Sequence, residues 1–181
     1  KKSKPLIDVD GKPMIIRVIE NVSITNSKFI LITQDKILED IQKALIGRDE
    51  FKSEILGISS ITEGTACTVL KAYEYINNDN PLLIANSDQL VNFDCEKIIA
   101  KCQNENLDGL ILTFTDPKRD PKWPFVRLDD NQLAIEVAEK VAISDKATVG
   151  IYYFKKGSDF VKGAIEMILN LDKTNNEYYV C

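Results

Sequence analysis

The chain has 181 residues and not one histidine. That absence removes every Ser-His-Asp and Cys-His nucleophilic scheme, together with imidazole acid/base catalysis. Cysteine is scarce as well. Cys67, Cys95, Cys102 and Cys181 are scattered, with no C-x-x-C pair, so a zinc site would have to recruit all four at a spacing unlike a zinc ribbon, and reduced thiols are expected. No apolar run approaches the roughly 18 residues of a spanning helix, and no charged-then-apolar leader opens the sequence. These features predict a soluble, cytoplasmic protein with no membrane partner. Basic charge is not in surplus either: 23 Lys and Arg stand against 28 Asp and Glu, a net charge of −5. That balance argues against a nucleic-acid partner while leaving room for a small phosphorylated ligand held by a few lysines. The chemistry is left to carboxylates, lysines, backbone amides or a metal held by oxygen.

What is present is an alternation of strand-like and helix-like segments in a chain 44% hydrophobic, long enough for one substantial core and one domain over 1–181. Met14, Ile15, Val18, Ile19 and Val22 fall at helical spacing within Lys12–Val22, Lys28–Thr33 reads as a strand, and Ile37, Ile41 and Leu45 share a face of a helix over Asp35–Leu45. Ile58–Thr62 is read as the next strand. Glu63-Gly64-Thr65 then opens a helix with Ala66, Val69, Tyr73 and Ile76 inward, and Glu63 suits the helix start by its charge. Asp94 is placed as the N-cap of a helix through Cys102, before a strand at Gly109–Phe114. After a proline-punctuated loop, Phe125–Leu128 and Leu133–Glu139 flank a turn as a hairpin. Thr148–Phe154 is a strand, and Ser158 or Asp159 caps a closing helix whose apolar face runs from Phe160 to Leu171. The order predicts an α/β fold with a Rossmann-like, mostly parallel mixed sheet flanked by helices.

The stretch with most chemistry in it is Pro81–Asp94. Leu82-Leu83-Ile84-Ala85 reads as a buried strand, and Asn86, Ser87, Asp88 and Gln89 follow at once. The carboxyl ends of strands are where open α/β sheets bind ligands. Asp88 is the leading catalytic candidate, with a turn or helix cap as its plainer role. Asn86 and Asp88 lie two apart, which puts both on one face if the strand persists, and magnesium is held by one or two carboxylates plus substrate phosphates and waters.

Lys4-Pro5-Leu6 with Gly11-Lys12-Pro13-Met14-Ile15 resembles the K-P-L-x-x-x-x-G-K-P-M-I segment of the sugar-phosphate nucleotidyltransferase superfamily, which includes glucose-1-phosphate thymidylyltransferases. Glu63-Gly64-Thr65-Ala66 resembles its glycine turn facing the nucleotide base, Asn86-Ser87-Asp88-Gln89 its metal-binding segment, and Glu139-Lys140 with Gly150-Ile151-Tyr152-Tyr153-Phe154 the part facing the acceptor. Four segments in the expected order also resemble the subgroup often encoded with capsule or surface-polysaccharide genes.

The resemblance implies transfer of a nucleoside monophosphate from a nucleoside triphosphate to a sugar phosphate or another phosphorylated small molecule, with Mg2+ as cofactor and pyrophosphate released. It gives Lys4 the neutralisation of the triphosphate and Asp88 the metal. Glu63, Gly64, Thr65, Asn86 and Ser87 would bind the nucleotide. Glu139, Lys140 and Gly150 would bind the acceptor, with Lys122 and Trp123 closing over it or anchoring their loop, and with the hairpin inserted on the acceptor side. Lys12 ranks below Lys4, and Val141 stands where many relatives have proline. The resemblance also sets a strand and a glycine-rich turn ahead of Lys4, and a second acidic metal ligand beyond the last residue seen. A homo-oligomer is compatible with it. The alternatives are a glycosyltransferase of related fold using a nucleotide sugar, which the absence of a D-x-D pair disfavours, and a non-catalytic nucleotide-sugar-binding module.

Overall fold

The computed structural model describes residues 3–180. Lys4–Leu6 forms a single 3-10 turn, followed by the two-residue strands β1 (Asp8–Val9) and β2 (Lys12–Pro13), which pair antiparallel. Helix α1 (Met14–Val22) starts two residues later than the sequence pattern predicts, because Lys12 and Pro13 are spent on that ribbon. It buries Ile15, Ile16, Val18, Ile19 and Val22. Each such side chain contributes about 1.5–3 kcal/mol on leaving water.

Strand β3 (Phe29–Gln34) runs into α2 (Asp35–Leu45) and then β4 (Ser53–Ile58), which pairs parallel to β3 over its whole length. This β-α-β unit matches the predicted alternation, but β4 ends where Ile58–Thr62 was expected to begin. In the register with β3, Ile55 and Leu56 lie opposite Leu31 and Ile32, and Ile58 lies opposite Gln34. The next helical stretch is broken into α3 (Thr65–Val69), a 3-10 turn (Leu70–Ala72) and α4 (Tyr73–Ile76). The break rotates the inner face: Ala72 is buried, whereas Tyr73, predicted inward, is 46% exposed.

The second sheet holds β5 (Leu82–Ala85), β6 (Gly109–Thr115), the hairpin β7 (Phe125–Leu128) and β8 (Ala134–Ala138), and β9 (Lys146–Phe154). β9 is its centre, pairing antiparallel with β6 from Lys146 to Phe154, with β5 over Ile151–Phe154 and with β7 at one residue pair. β5 and β6 therefore point the same way but are separated by the long antiparallel β9, which gives the sheet its mixed character. Between them in sequence lies α5 (Cys95–Asn104), capped as predicted by Asp94, whose carboxylate accepts from the Lys97 amide at 3.0 Å. The closing helix α6 (Gly157–Leu169) begins before Ser158 and Asp159, and neither caps it. Ile165 is 42% exposed and Leu171 lies beyond the helix at 75%, so the apolar face is narrower than predicted.

Three apolar clusters hold the layers together. One packs α3, α4 and α6 around Ala66, Ile76, Phe160 and Tyr178, with Ile30 and Ile32 of β3 and Leu82 and Ile84 of β5 against it. A second gathers Cys95, Ile99 and Cys102 of α5 under Ile151 and Tyr153 of β9. The third joins α1 and α2 through Ile16, Ile19 and Ile41. β3 and β5 thus share one helical layer without pairing to each other. Between them opens a cavity of about 1030 Å³ lined by residues of both strands. For that reason β5, predicted buried on both faces, is only half-buried.

Candidate active site

At the carboxyl end of β5 the chain leaves the sheet through a polar turn. Asn86 keeps one backbone bond, its amide donating to the Gly150 carbonyl at 3.1 Å, and its side-chain amide donates to Gln89 at 3.0 Å. Gly150 has φ +69°, and a Cβ there would strike the Asn86 side-chain amide. The glycine is required by the close approach of Asn86 as well as by its backbone angle.

Asp88, on the same turn, meets Lys4: the ammonium donates to Oδ2 at 3.2 Å across 84 residues of sequence. The pair is open to solvent, with side-chain exposures of 79% and 37%. Two candidates chosen on separate motifs therefore come together, and the carboxylate is accessible to a cation. Lys12 lies elsewhere and is paired to Glu20 at 2.5 Å.

Asn86, Ser87, Gly150, Thr65, Glu139 and Trp123 all border the cavity. Burial raises the Glu139 carboxyl above the ordinary glutamate range, Lys140 opposes that shift, and Glu177 adds to it. Lys140 follows in the left-handed region, φ 58°, so the backbone turns sharply just before Val141. Lys122 is bound to Asp120 at 2.9 Å and lies over the Trp123 ring at 5.1 Å, while Trp123 packs edge-on against Phe114 at 5.5 Å. These contacts tie the pair to its own loop, while Trp123 also borders the cavity. The loop itself is organised by Asp116, whose buried carboxylate accepts from the amides of Lys118 and Asp120.

The glycine turn at Gly64 packs against the chain near Tyr178. Gly64, φ +116°, has no room for a Cβ because the backbone of Tyr178 occupies that space. The Tyr178 amide donates to the Glu63 carbonyl and its carbonyl accepts from Ala66. Glu63 does not cap the helix, since its carboxylate is paired to Lys173 at 2.5 Å, and that lysine also sits over the Tyr178 ring. Sequence reasoning missed Lys173, Glu177, Tyr178 and Tyr179, although an acidic and aromatic run at 177–179 was the visible signal. Tyr179 borders the cavity, and burial with a hydrogen bond to Glu177 pushes its phenol up to about 12.

A carboxylate paired to a remote lysine just past the carboxyl end of a strand, beside a cavity, stands where α/β sheets bind ligands. A family profile described as nucleotidyl transferase matches residues 1–178, and the chain belongs to that family. Among solved structures it is similar to a nucleoside-diphosphate-sugar pyrophosphorylase from Vibrio cholerae (TM-score 0.75, 18% identity, 99% of this chain and 76% of that one). It is also similar to a protein from Bacillus anthracis assigned as a glucose-1-phosphate thymidylyltransferase, crystallised with sucrose (TM-score 0.72, 19% identity, 96% and 69%). At these identities the likeness is one of fold. Comparison with curated proteins finds no match. Among the described residues, no helix is long and apolar enough to cross a membrane.

Proposed function

We propose that this chain carries the catalytic core of a nucleotidyltransferase that moves a nucleoside monophosphate from a nucleoside triphosphate to a phosphorylated small molecule, a sugar phosphate foremost. The observation that carries the reading is the meeting of Lys4 and Asp88 at the carboxyl end of β5. In the reaction, a phosphate oxygen of the acceptor bonds to the α-phosphorus and the bond to pyrophosphate breaks. The attacking oxygen is already anionic, so no histidine is needed to remove a proton; positioning and charge neutralisation suffice. Lys4 neutralises the triphosphate, Asn86, Ser87 and Thr65 border it, and Glu139 accepts from an acceptor hydroxyl.

The donor set at the turn is one accessible carboxylate beside an amide, and among the described residues no cluster of three or more acidic or sulfur ligands forms. Such a set fits a hard cation that takes its remaining ligands from phosphates and water, as Mg2+ does. Asp88 would hold it, and when bound it would supply neutralisation of the phosphates. From the resemblance of the four motif segments alone we infer a product used in surface-polysaccharide synthesis.

The decisive experiment is a screen for pyrophosphate release, crossing each common nucleoside triphosphate with a panel of phosphorylated acceptors. Metal-dependent release with one pair is expected. Sugar transfer from a nucleotide sugar, without such release, would replace the reading with the glycosyltransferase.

A further inference from the structure

Thr148 carries a hydroxyl that the fold does not use. The residue is 1% exposed, and its Oγ1 is buried without a hydrogen-bond partner among the described residues. Its amide, by contrast, is satisfied, donating to the Pro124 carbonyl at 2.9 Å. An unpartnered buried hydroxyl is costly, and valine would fill the same space without one.

The position says where the residue stands. Thr148 precedes Gly150 by two residues on β9, within the stretch where the pairing with β6 slips and Gly150 takes φ +69°. Gly150 is the residue against which the Asn86 side chain rests. β5 pairs with β9 only as far as Ala85 opposite Ile151, so Thr148 lies past the end of β5, on the side of the polar turn. It lines the same cavity as Glu139, Trp123 and Gly150.

We propose that Thr148 is a specificity-determining residue for the acceptor, its hydroxyl exchanging a hydrogen bond with a hydroxyl on the acceptor's carbon skeleton, so that the site selects polyhydroxylated phosphates over those with apolar or quaternary-ammonium skeletons. The inference rests on the nucleotidyl transfer proposed above and adds to it a residue outside the four matching motif segments.

The test follows pyrophosphate release by the wild type, Thr148→Val and Thr148→Ser, with glucose 1-phosphate, galactose 1-phosphate and glycerol 3-phosphate as hydroxylated probes and choline phosphate as the control. The wild type is expected to favour a hydroxylated probe. Thr148→Val should raise the KM for that probe about tenfold, the loss of one hydrogen bond, with kcat and the KM for triphosphate nearly unchanged. Thr148→Ser should restore most of the loss, and the Tm of Thr148→Val should not fall. An unchanged acceptor KM in Thr148→Val, or choline phosphate as the best acceptor, would overturn the proposal. So would a Tm that falls in Thr148→Val and returns in Thr148→Ser, since the hydroxyl would then have a structural partner. A wild type that releases pyrophosphate with none of the probes overturns the polyhydroxylated assignment. Silence with every acceptor of the wider screen takes the nucleotidyl-transfer reading down as well.

Discussion

Asp88 is exposed enough that its loss should spare the fold, and this makes it a clean probe of chemistry. Surface ion pairs contribute about 0–1 kcal/mol, so Asp88→Asn should leave Tm and circular dichroism almost unchanged while reducing pyrophosphate release by about a hundredfold or more. Near-normal turnover would remove Asp88 from the site. Glu139 presents the opposite case, a carboxylate whose burial matters. Its folded pKa lies above the ordinary value, mainly through burial, so the protonated form is favoured by folding. The associated stability is present below the ordinary glutamate range and is lost as pH rises through the folded value. Glu139→Gln should therefore raise Tm at neutral pH, with the gain fading on acidification, while acceptor KM rises. A lower Tm at neutral pH would contradict this electrostatic account. Cys95 carries a thiol pushed up to about 11 by burial and the neighbouring acidic residues. It should stay unreactive towards a thiol reagent until the protein unfolds, and rapid labelling of the native protein would show the site to be more open than its 5% exposure.

At the scale of elements, the parts legible in the sequence are those fixed by local rules. The period of α2, the Asp94 cap and the β7–β8 hairpin all rest on residues a few positions apart. What was not legible depends on distant partners. β4 pairs with β3 over Ser53–Ile58 and not over the expected Ile58–Thr62, a partner 24 residues back that a short apolar pattern does not reveal. Glu63 has the charge for a helix start, yet Lys173, 110 residues away, takes its carboxylate. The motif segments placed Asp88, Lys4 and Gly150 near one another because the fold they resemble does so; Thr148 and the 177–179 run carried no such signal. Gly64 was legible as a glycine but not for its reason, which is the backbone of Tyr178. Gly64→Ala combines that collision with a positive φ, and should cost on the order of 3 kcal/mol in chemical denaturation. A loss below about 0.5 kcal/mol would mean that the turn and the chain end separate freely.

Beyond the β1–β2 ribbon, the described residues form two sheets bridged by shared helices, and the bridge has a spectroscopic consequence. Asn86 donates to Gly150 across the sheet, so antiparallel alternation turns the Leu83 and Ala85 amides towards the cavity. Phe29 donates towards Lys52, which in the same way turns the Ile30 and Ile32 amides inward. Hydrogen exchange on residues 1–181 should find these four amides faster than those of Leu31 and Ile84; uniform protection along β3 and β5 would mean the cavity is closed. The Lys4–Asp88 contact, finally, has a meaning in chain statistics. Closing a loop of 84 residues costs about 4 kcal/mol in configurational freedom, several times what an exposed ion pair returns. The pair is thus a product of the assembled cores and not their cause. A polyanion that touches both residues meets a loop whose closure the hydrophobic layers have already brought about, and its binding energy goes undiminished into holding the ligand.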